Sequence, residues 1–534
     1  MIAKYLSLIV VSLMCNSALA LNASLGEELL QENCRGCHTP IEQGLSRISQ
    51  QRKTAEGWEM TINRMRTMHG LQLRHEGMTE VEVLGALVKH LADSQGLAPS
   101  ETEGVRYLLE RDGNRTESFE PLIAETCGRC HSSARVALQR RTPDEWDRTV
   151  DFHLGQWPST EYSLYGRDRP WLKIAREQAV PMLAEQYPLE SSAWEAWQEA
   201  DKPVPTGTWV LAGHIPGEGE FSALMTVTAE PDQPDRYRIA LEGNYADGSE
   251  LRGSGASIVY TGYEWRAGLS LGDLELSQAF ALSADGRAIS GRMYQRDQEQ
   301  IGAPIVGIRS ETDSRLLSVY PKSVSADQES VITLTGSGLS ADNVSFDDLE
   351  VVEVLSDVPH RVQLRVRNAS GKKLALQNIY VNNEQTDVNV AVYQHVDDLQ
   401  IEPAYGVARI GGNGGGAPKL EAVFRARGIS WGSDGVAGTE DDIDLGYIDD
   451  VTWQAVPRDE TAKHDNDVAF AGDMDARTGR FVPAGAGPNP ARARSTNNAG
   501  NLNVVATYQQ EGRVVEGTGR LLVTVQRWVN PPLK

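Results

Sequence analysis

Two short groups in this sequence could carry redox chemistry. "NCRGCHTP", residues 33–40, recurs as "TCGRCHSS", residues 126–133, so the pattern Cys-x-x-Cys-His occurs twice. Two thiols at that spacing can add across the two vinyl groups of one haem, and the adjacent histidine is then placed to bind the iron. Cys34 with Cys37, and Cys127 with Cys130, are therefore the candidate attachments for two covalent haems c, with His38 and His131 as their proximal iron ligands. A thioredoxin-like reading needs a βαβ context and gives the histidine no role. A zinc reading would pool four cysteines across a separation long for a zinc site. The chain has only five cysteines, the fifth being Cys15, so the mature protein has no thiol left over for a structural disulfide.

Each iron also needs a ligand on its far side, and an internal repeat offers one. "TAEGWEMTINRM", residues 54–65, follows the first pentad, and "TPDEWDRTVDFH", residues 142–153, follows the second. Aligning Thr54 with Thr142 places Trp58 on Trp146, Thr61 on Thr149 and Met65 on His153. Met65 and His153 are thus the candidate distal ligands. A thioether on one iron and an imidazole on the other would give two unequal potentials, as an electron relay requires. Met60, Met68, His69 and His75 are also within reach of the first haem, and Met68 stands next after Met65. Methionines beside a haem often only pack against it. Met182 lies among apolar residues at helical spacing and reads as core, and His90 reads as an ordinary helix residue. Trp58 and Trp146 read as walls of the two pockets.

The elements that must hold these residues are helical. Thr79 and Glu82 form a capping box ahead of Val83, Leu84, Leu87, Val88 and Leu91, which repeat at helical spacing. Ser24 and Glu27 form another ahead of the first pentad. Residues 21–200 are predicted to be an all-α dihaem cytochrome c domain. From "DKPVPTGTWVLAG" onward, alternating runs separated by Gly, Asn, Asp and Pro take over. These predict three all-β domains: an antiparallel β-barrel over 205–312, an immunoglobulin-like sandwich over 313–396 and a C-terminal sandwich over 397–534.

The N-terminus sets the compartment. Lys4, the apolar run "YLSLIVVSLMC" and "NSALA" predict a secretory signal, residues 1–20, cut after Ala20. Met14 is too bulky for Cys15 to be a lipidation site. No later run approaches the ~20 apolar residues of a membrane span, so the expected location is the periplasm. Lys+Arg 51 against Asp+Glu 74, a formal charge of −23, excludes nucleic acid as a natural partner.

The β region carries no nucleophile elbow, P-loop, zincin helix or dinucleotide fingerprint. "GSDGVAGTEDDIDLG" gathers Asp434, Glu440, Asp441, Asp442 and Asp444 but lacks the ligand order of an EF-hand, and reads as a solvated turn cluster rather than a calcium site. "GGNGGG", residues 411–416, reads as a flexible connector.

Two Cys-x-x-Cys-His pentads in a helical N-terminal region, followed by three β domains in an exported chain, resemble the α subunit of quinohaemoprotein amine dehydrogenase. The resemblance implies a periplasmic heterotrimer. A small partner subunit would carry cysteine tryptophylquinone and oxidise primary amines to aldehyde and ammonia, and a second partner would be a β-propeller. This chain would be the electron-transfer subunit with no catalytic residues of its own, passing electrons to a blue copper protein or a small cytochrome c. It also implies one bis-histidine haem and one histidine/methionine haem. The alternatives are a dihaem cytochrome c peroxidase-like enzyme and a haem-bearing surface-binding protein.

Overall fold

A computed structural model describes residues 24–525, apart from 114, 157–168, 232, 311–312, 413–416 and 511. The signal segment with Cys15 and part of the "GGNGGG" connector lie outside the described residues.

The first haem unit is built on three helices: α1 (24–34), α2 (Ala55–His69) and α3 (Glu80–Ser94). Thr54 caps α2 by accepting from the Gly57 amide, and Gly70 ends it at φ 71°, where a side chain would be strained. The capping box of Thr79 and Glu82 opens α3 as the spacing predicts. Leu29 and Leu30 of α1, Trp58 and Ile62 of α2, and Val83, Leu87 and Leu91 of α3 share one core. Helix α1 crosses α3 at Gly26, where a Cβ would come within 2.5 Å of the His90 side chain. His90 also lies 3.5 Å from Glu27, so it serves the helix crossing.

The second unit repeats this plan in a shorter form. Helix α4 (Pro121–Thr126) leads into the second pentad, and α5 (Pro143–Gln156) corresponds to α2. Ile123, Val136, Trp146 and Leu183 form its core, against which the half-buried Met182 packs.

The N-terminal region is not all-α, which corrects the fold expected from the sequence. It contains a two-residue ladder, β1 (Pro40–Ile41) with β2 (Gly44–Leu45), and a second ladder joining the two units, β3 (Gln51–Lys53) with β4 (Gln139–Arg141). Strands of two or three residues show no periodicity, and their pairing is long-range. The register pairs Gln51 with Arg141, Arg52 with Arg140 and Lys53 with Gln139. Strand outweighs helix among the described residues, 43% against 23%.

Beyond them, eight antiparallel strands from Gly207–Ile215 to Gln298–Arg309 each pair with the next, and the last closes on the first through Ile305↔Gly213 and Arg309↔Trp209. This closed barrel is filled by its own side chains, among them Trp209, Trp265 and Phe280. Helix Ser192–Glu199 adds Trp194 and Trp197 to that same core. The Trp197 indole donates to the carbonyl of Thr261, and Arg266 of the barrel pairs at 2.7 Å with Glu56 of α2. The barrel therefore braces the haem units directly.

Two four-stranded sheets follow, sharing one core that includes Ile332, Leu364, Ile379 and Val390. The last region is a set of sheets around Phe424, Trp453 and Phe481, with helices Glu460–His464 and Asp467–Ala471 inserted, so it too is not purely β.

Candidate haem-binding sites

Each pentad starts where a helix ends. Cys34 closes α1, and its carbonyl accepts from the amides of Cys37 (3.1 Å) and His38 (2.9 Å), so one tight turn carries all three functional side chains. In the second pentad the Cys127 amide still bonds back to Ile123 at 2.8 Å, continuing α4. Cys37 and Cys130 are exposed, whereas Cys34 and Cys127 are half-buried. Burial pushes the Cys34 thiol up to about 11, with Cys37 adding to the rise, and burial alone does the same for Cys127.

The histidines share one orientation device. His38 Nδ1 lies 2.9 Å from the carbonyl of Ser46, His131 Nδ1 lies 2.9 Å from that of Ser132, and His153 Nδ1 lies 2.6 Å from that of Thr149. A ring nitrogen facing a carbonyl must donate, which leaves Nε2 with the lone pair a metal takes. Burial, assisted by His131, Arg141 and Arg64, holds His153 below its ordinary range.

The rings of His131 and His153 lie with their centroids 6.3 Å apart and their planes tilted by 34°. An imidazole nitrogen sits about 2 Å from a bound first-row metal, so two rings on opposite sides of one iron have centroids about 6 Å apart once the ring radius is added. The residues present fit a haem iron at this point.

The first unit is less closed. Met65 is half-buried in the last turn of α2, its carbonyl held by the amides of Gly70 and Leu71. Met60 and Met68 are 45% and 43% exposed, and His69 is exposed as well. His75 Nδ1 is held 2.8 Å from Glu32. Met78, which the sequence reading passed over, packs with Cys34 and Leu71 against the first unit's core. Its position just before the Thr79 cap was the available signal.

The repeat runs further back than the tryptophan motif: "QRKT", residues 51–54, corresponds to "QRRT", residues 139–142. The Trp58 indole donates to the carbonyl of Gln95 at 3.1 Å, and the Trp146 indole to that of Tyr187, also at 3.1 Å. Thr61 and Thr149 each donate to the carbonyl four residues back. Arg52 and Arg140, paired at the centre of the β3–β4 ladder, both bond Glu101. Arg64 and Phe152, also equivalent positions, touch: the guanidinium carbon lies 4.4 Å from the ring centroid. The two units thus meet about a local pseudo-twofold, with Met65 and His153 each one residue from that contact.

In the acidic loop, Asp441 accepts from Ser433 and Thr439, Asp442 from the Gly438 amide, and Asp444 from Lys322 and Arg427. Among the described residues no group of three or more His, Cys, Asp and Glu side chains is arranged to hold a bare metal ion, and no helix is long and apolar enough to cross a membrane.

Four family models match the chain. They are quinohemoprotein amine dehydrogenase alpha subunit, haem binding, over residues 24–194, and domains II, III and IV of the same alpha subunit over 203–310, 313–394 and 399–533. The chain is therefore a haem-binding component of an oxidoreductase complex. It belongs to the family of quinohemoprotein amine dehydrogenase alpha subunits. No curated protein matches it. Similar solved structures include a redesigned β-barrel, mFAP1, bound to DFHBI, which is 17% identical with TM-score 0.17 over 19% of this chain and 91% of that one. Another is Drosophila N-cadherin EC1-3, 12% identical with TM-score 0.20 over 56% and 92%. At such scores these likenesses carry no argument about function.

Proposed function

We propose that this chain is the electron-transfer subunit of a periplasmic amine dehydrogenase heterotrimer and holds two covalent haems c. Cys34 and Cys37 attach the first and Cys127 and Cys130 the second, with His38 and His131 as proximal ligands and Met65 and His153 as distal ligands. The observation that carries this reading is the His131–His153 pair, whose 6.3 Å separation suits two imidazoles on one iron. Each haem, once attached, carries one electron at a time.

The chain's own residues supply attachment, orientation and insulation. The carbonyls of Ser46, Ser132 and Thr149 hold the imidazoles in the metal-binding tautomer. Trp58 and Trp146, both 2% exposed, pin the distal-ligand helices at equivalent points. Amine chemistry belongs to a small partner subunit carrying cysteine tryptophylquinone, with a β-propeller subunit completing the heterotrimer. A blue copper protein or small cytochrome c takes the electrons away. Signal removal after Ala20 would place the mature start at Leu21.

The test is amine-driven haem reduction. The assembled complex should reduce its haems when a primary amine is added, and this chain alone should be reducible by dithionite yet inert to amine. Mass spectrometry should show two haem additions on the mature chain. Free thiols in the native protein, or amine turnover by this chain alone, would sink the reading.

A further inference from the structure

Three positive side chains meet at the seam between the haem units. Lys53 ends β3 and Arg141 ends β4, at equivalent positions of the repeat, and each lies over its own unit's tryptophan, 5.2 Å from Trp58 and 5.5 Å from Trp146. Both are buried. Arg64 comes from α2 and stacks on Phe152 of α5.

Their own chain leaves them short of negative charge. The buried carboxylate at this seam is Glu145, and it is shared by Arg47 at 3.1 Å, Arg148 at 2.7 Å and Arg141 at 3.8 Å. The Lys53 ammonium donates to the Thr61 hydroxyl at 2.8 Å, and Arg141 donates to the Gln139 amide oxygen at 3.0 and 2.8 Å. Arg64 makes no hydrogen bond or ion pair among the described residues, although its Nε is shielded from solvent. Burial and the neighbouring cations hold Lys53 well below its ordinary range and bring Arg141 down to about 10. Such a surplus of buried cations is costly unless an anion completes the site.

The seam lies beside Met65 and His153, and the haem itself brings carboxylates. We propose that Lys53, Arg64 and Arg141 bind haem propionate carboxylates at this seam, an inference that rests on the dihaem reading above. The guanidinium of Arg64, free of other partners and planar, is suited to a two-point bond with a carboxylate. The cations have a second effect: positive charge beside an iron disfavours its oxidised form, so they raise the reduction potential.

The test uses the full haem-loaded chain with Lys53→Met, Arg64→Met, Arg64→Lys and, as a control on the exposed barrel surface, Arg252→Gln. Haem content by the pyridine haemochrome assay comes first; its absence from the unmutated chain would dispose of the dihaem reading rather than of this inference. With haem present, spectroelectrochemical titration should show a lowered potential in both methionine variants, recovery in Arg64→Lys and no shift in Arg252→Gln. Redox-difference infrared spectra, with the haem carboxylates labelled by carboxyl-labelled aminolaevulinate, should show their stretching bands displaced in the same two variants. Should Lys53→Met fail to fold, Arg64→Met at its half-buried site carries the test. Unchanged potentials, or lowered potentials with unmoved haem carboxylate bands, would overturn the assignment.

Discussion

Removing the charge of Glu101 should loosen the two haem units from each other. Its side chain is only 6% exposed, and it accepts from Arg52 at 2.8 and 2.9 Å, from Arg140 at 3.0 Å, from the Ser191 hydroxyl at 2.9 Å and from the Ala98 amide at 2.8 Å. Burial opposes the charge, but the Arg52 hydrogen bonds and the charges of Arg140 and Arg52 prevail and bring the carboxyl from 4.5 down to about 2. A folded value below the unfolded one means stability that is complete above pH 4.5 and lost as pH falls toward 2. The shift corresponds to about 3 kcal/mol at neutral pH. Glu101→Gln also strands two buried guanidinium groups, so its cost should be roughly 3–5 kcal/mol. Urea unfolding of the haem-loaded chain, followed at the Soret band at several pH values, measures both effects. A cost below about 1 kcal/mol, or an acid slope as steep in the variant as in the parent, would refute the reasoning.

His153→Ala should open the second iron to carbon monoxide, and Met65→Ala should abolish the methionine-to-iron absorption; if that absorption survives, Met68, Met60 or Met78 is the ligand. Gly26→Ala puts a Cβ within 2.5 Å of His90 at the α1–α3 crossing, so it should cost about 1–3 kcal/mol in denaturant unfolding. Calcium or chelator should leave the melting temperature unchanged in both the parent and Asp441→Ala, because that carboxylate accepts from the loop's own Ser433 and Thr439; a calcium-dependent rise lost in the variant would contradict this.

What the sequence made legible follows from range. The Thr79–Glu82 box and the burial of Val83, Leu87, Val88 and Leu91 depend on residues within a few turns, and they stand where the spacing predicts. Strand Arg236–Tyr245 likewise alternates as read, with Tyr237, Ile239 and Leu241 inward. Closure of the barrel depends on the register of its last strand against its first, which no local pattern encodes. The β3–β4 ladder escaped for a related reason: each strand is three charged or polar residues with no apolar alternation, yet Arg52, Lys53, Arg140 and Arg141 are all buried. Helix Ser192–Glu199 follows the haem units in sequence, but its tryptophans pack into the barrel. The pentads were legible because their chemistry constrains residue type and spacing together. The cations at the seam were not, because their meaning depends on what two distant segments bring together.

A duplicated frame makes a relay by diverging at few positions. The tryptophan anchors, the threonine caps and the central arginines occupy matching places, so on the proposed dihaem reading each unit would hold its haem in a comparable setting. The differences fall where electrostatics is most sensitive. Met65 stands against His153, which on the proposed ligand set raises the first potential above the second. Gly57 stands against Glu145, whose buried carboxylate is shared by Arg47, Arg141 and Arg148. On that proposed ligand set electrons would run from the bis-histidine haem toward the histidine/methionine haem, and exchanging Met65 for His should flatten the gap between the two midpoints while leaving both haems attached. If the gap survives Met65→His unchanged, the asymmetry resides in the surrounding charges rather than in the ligands.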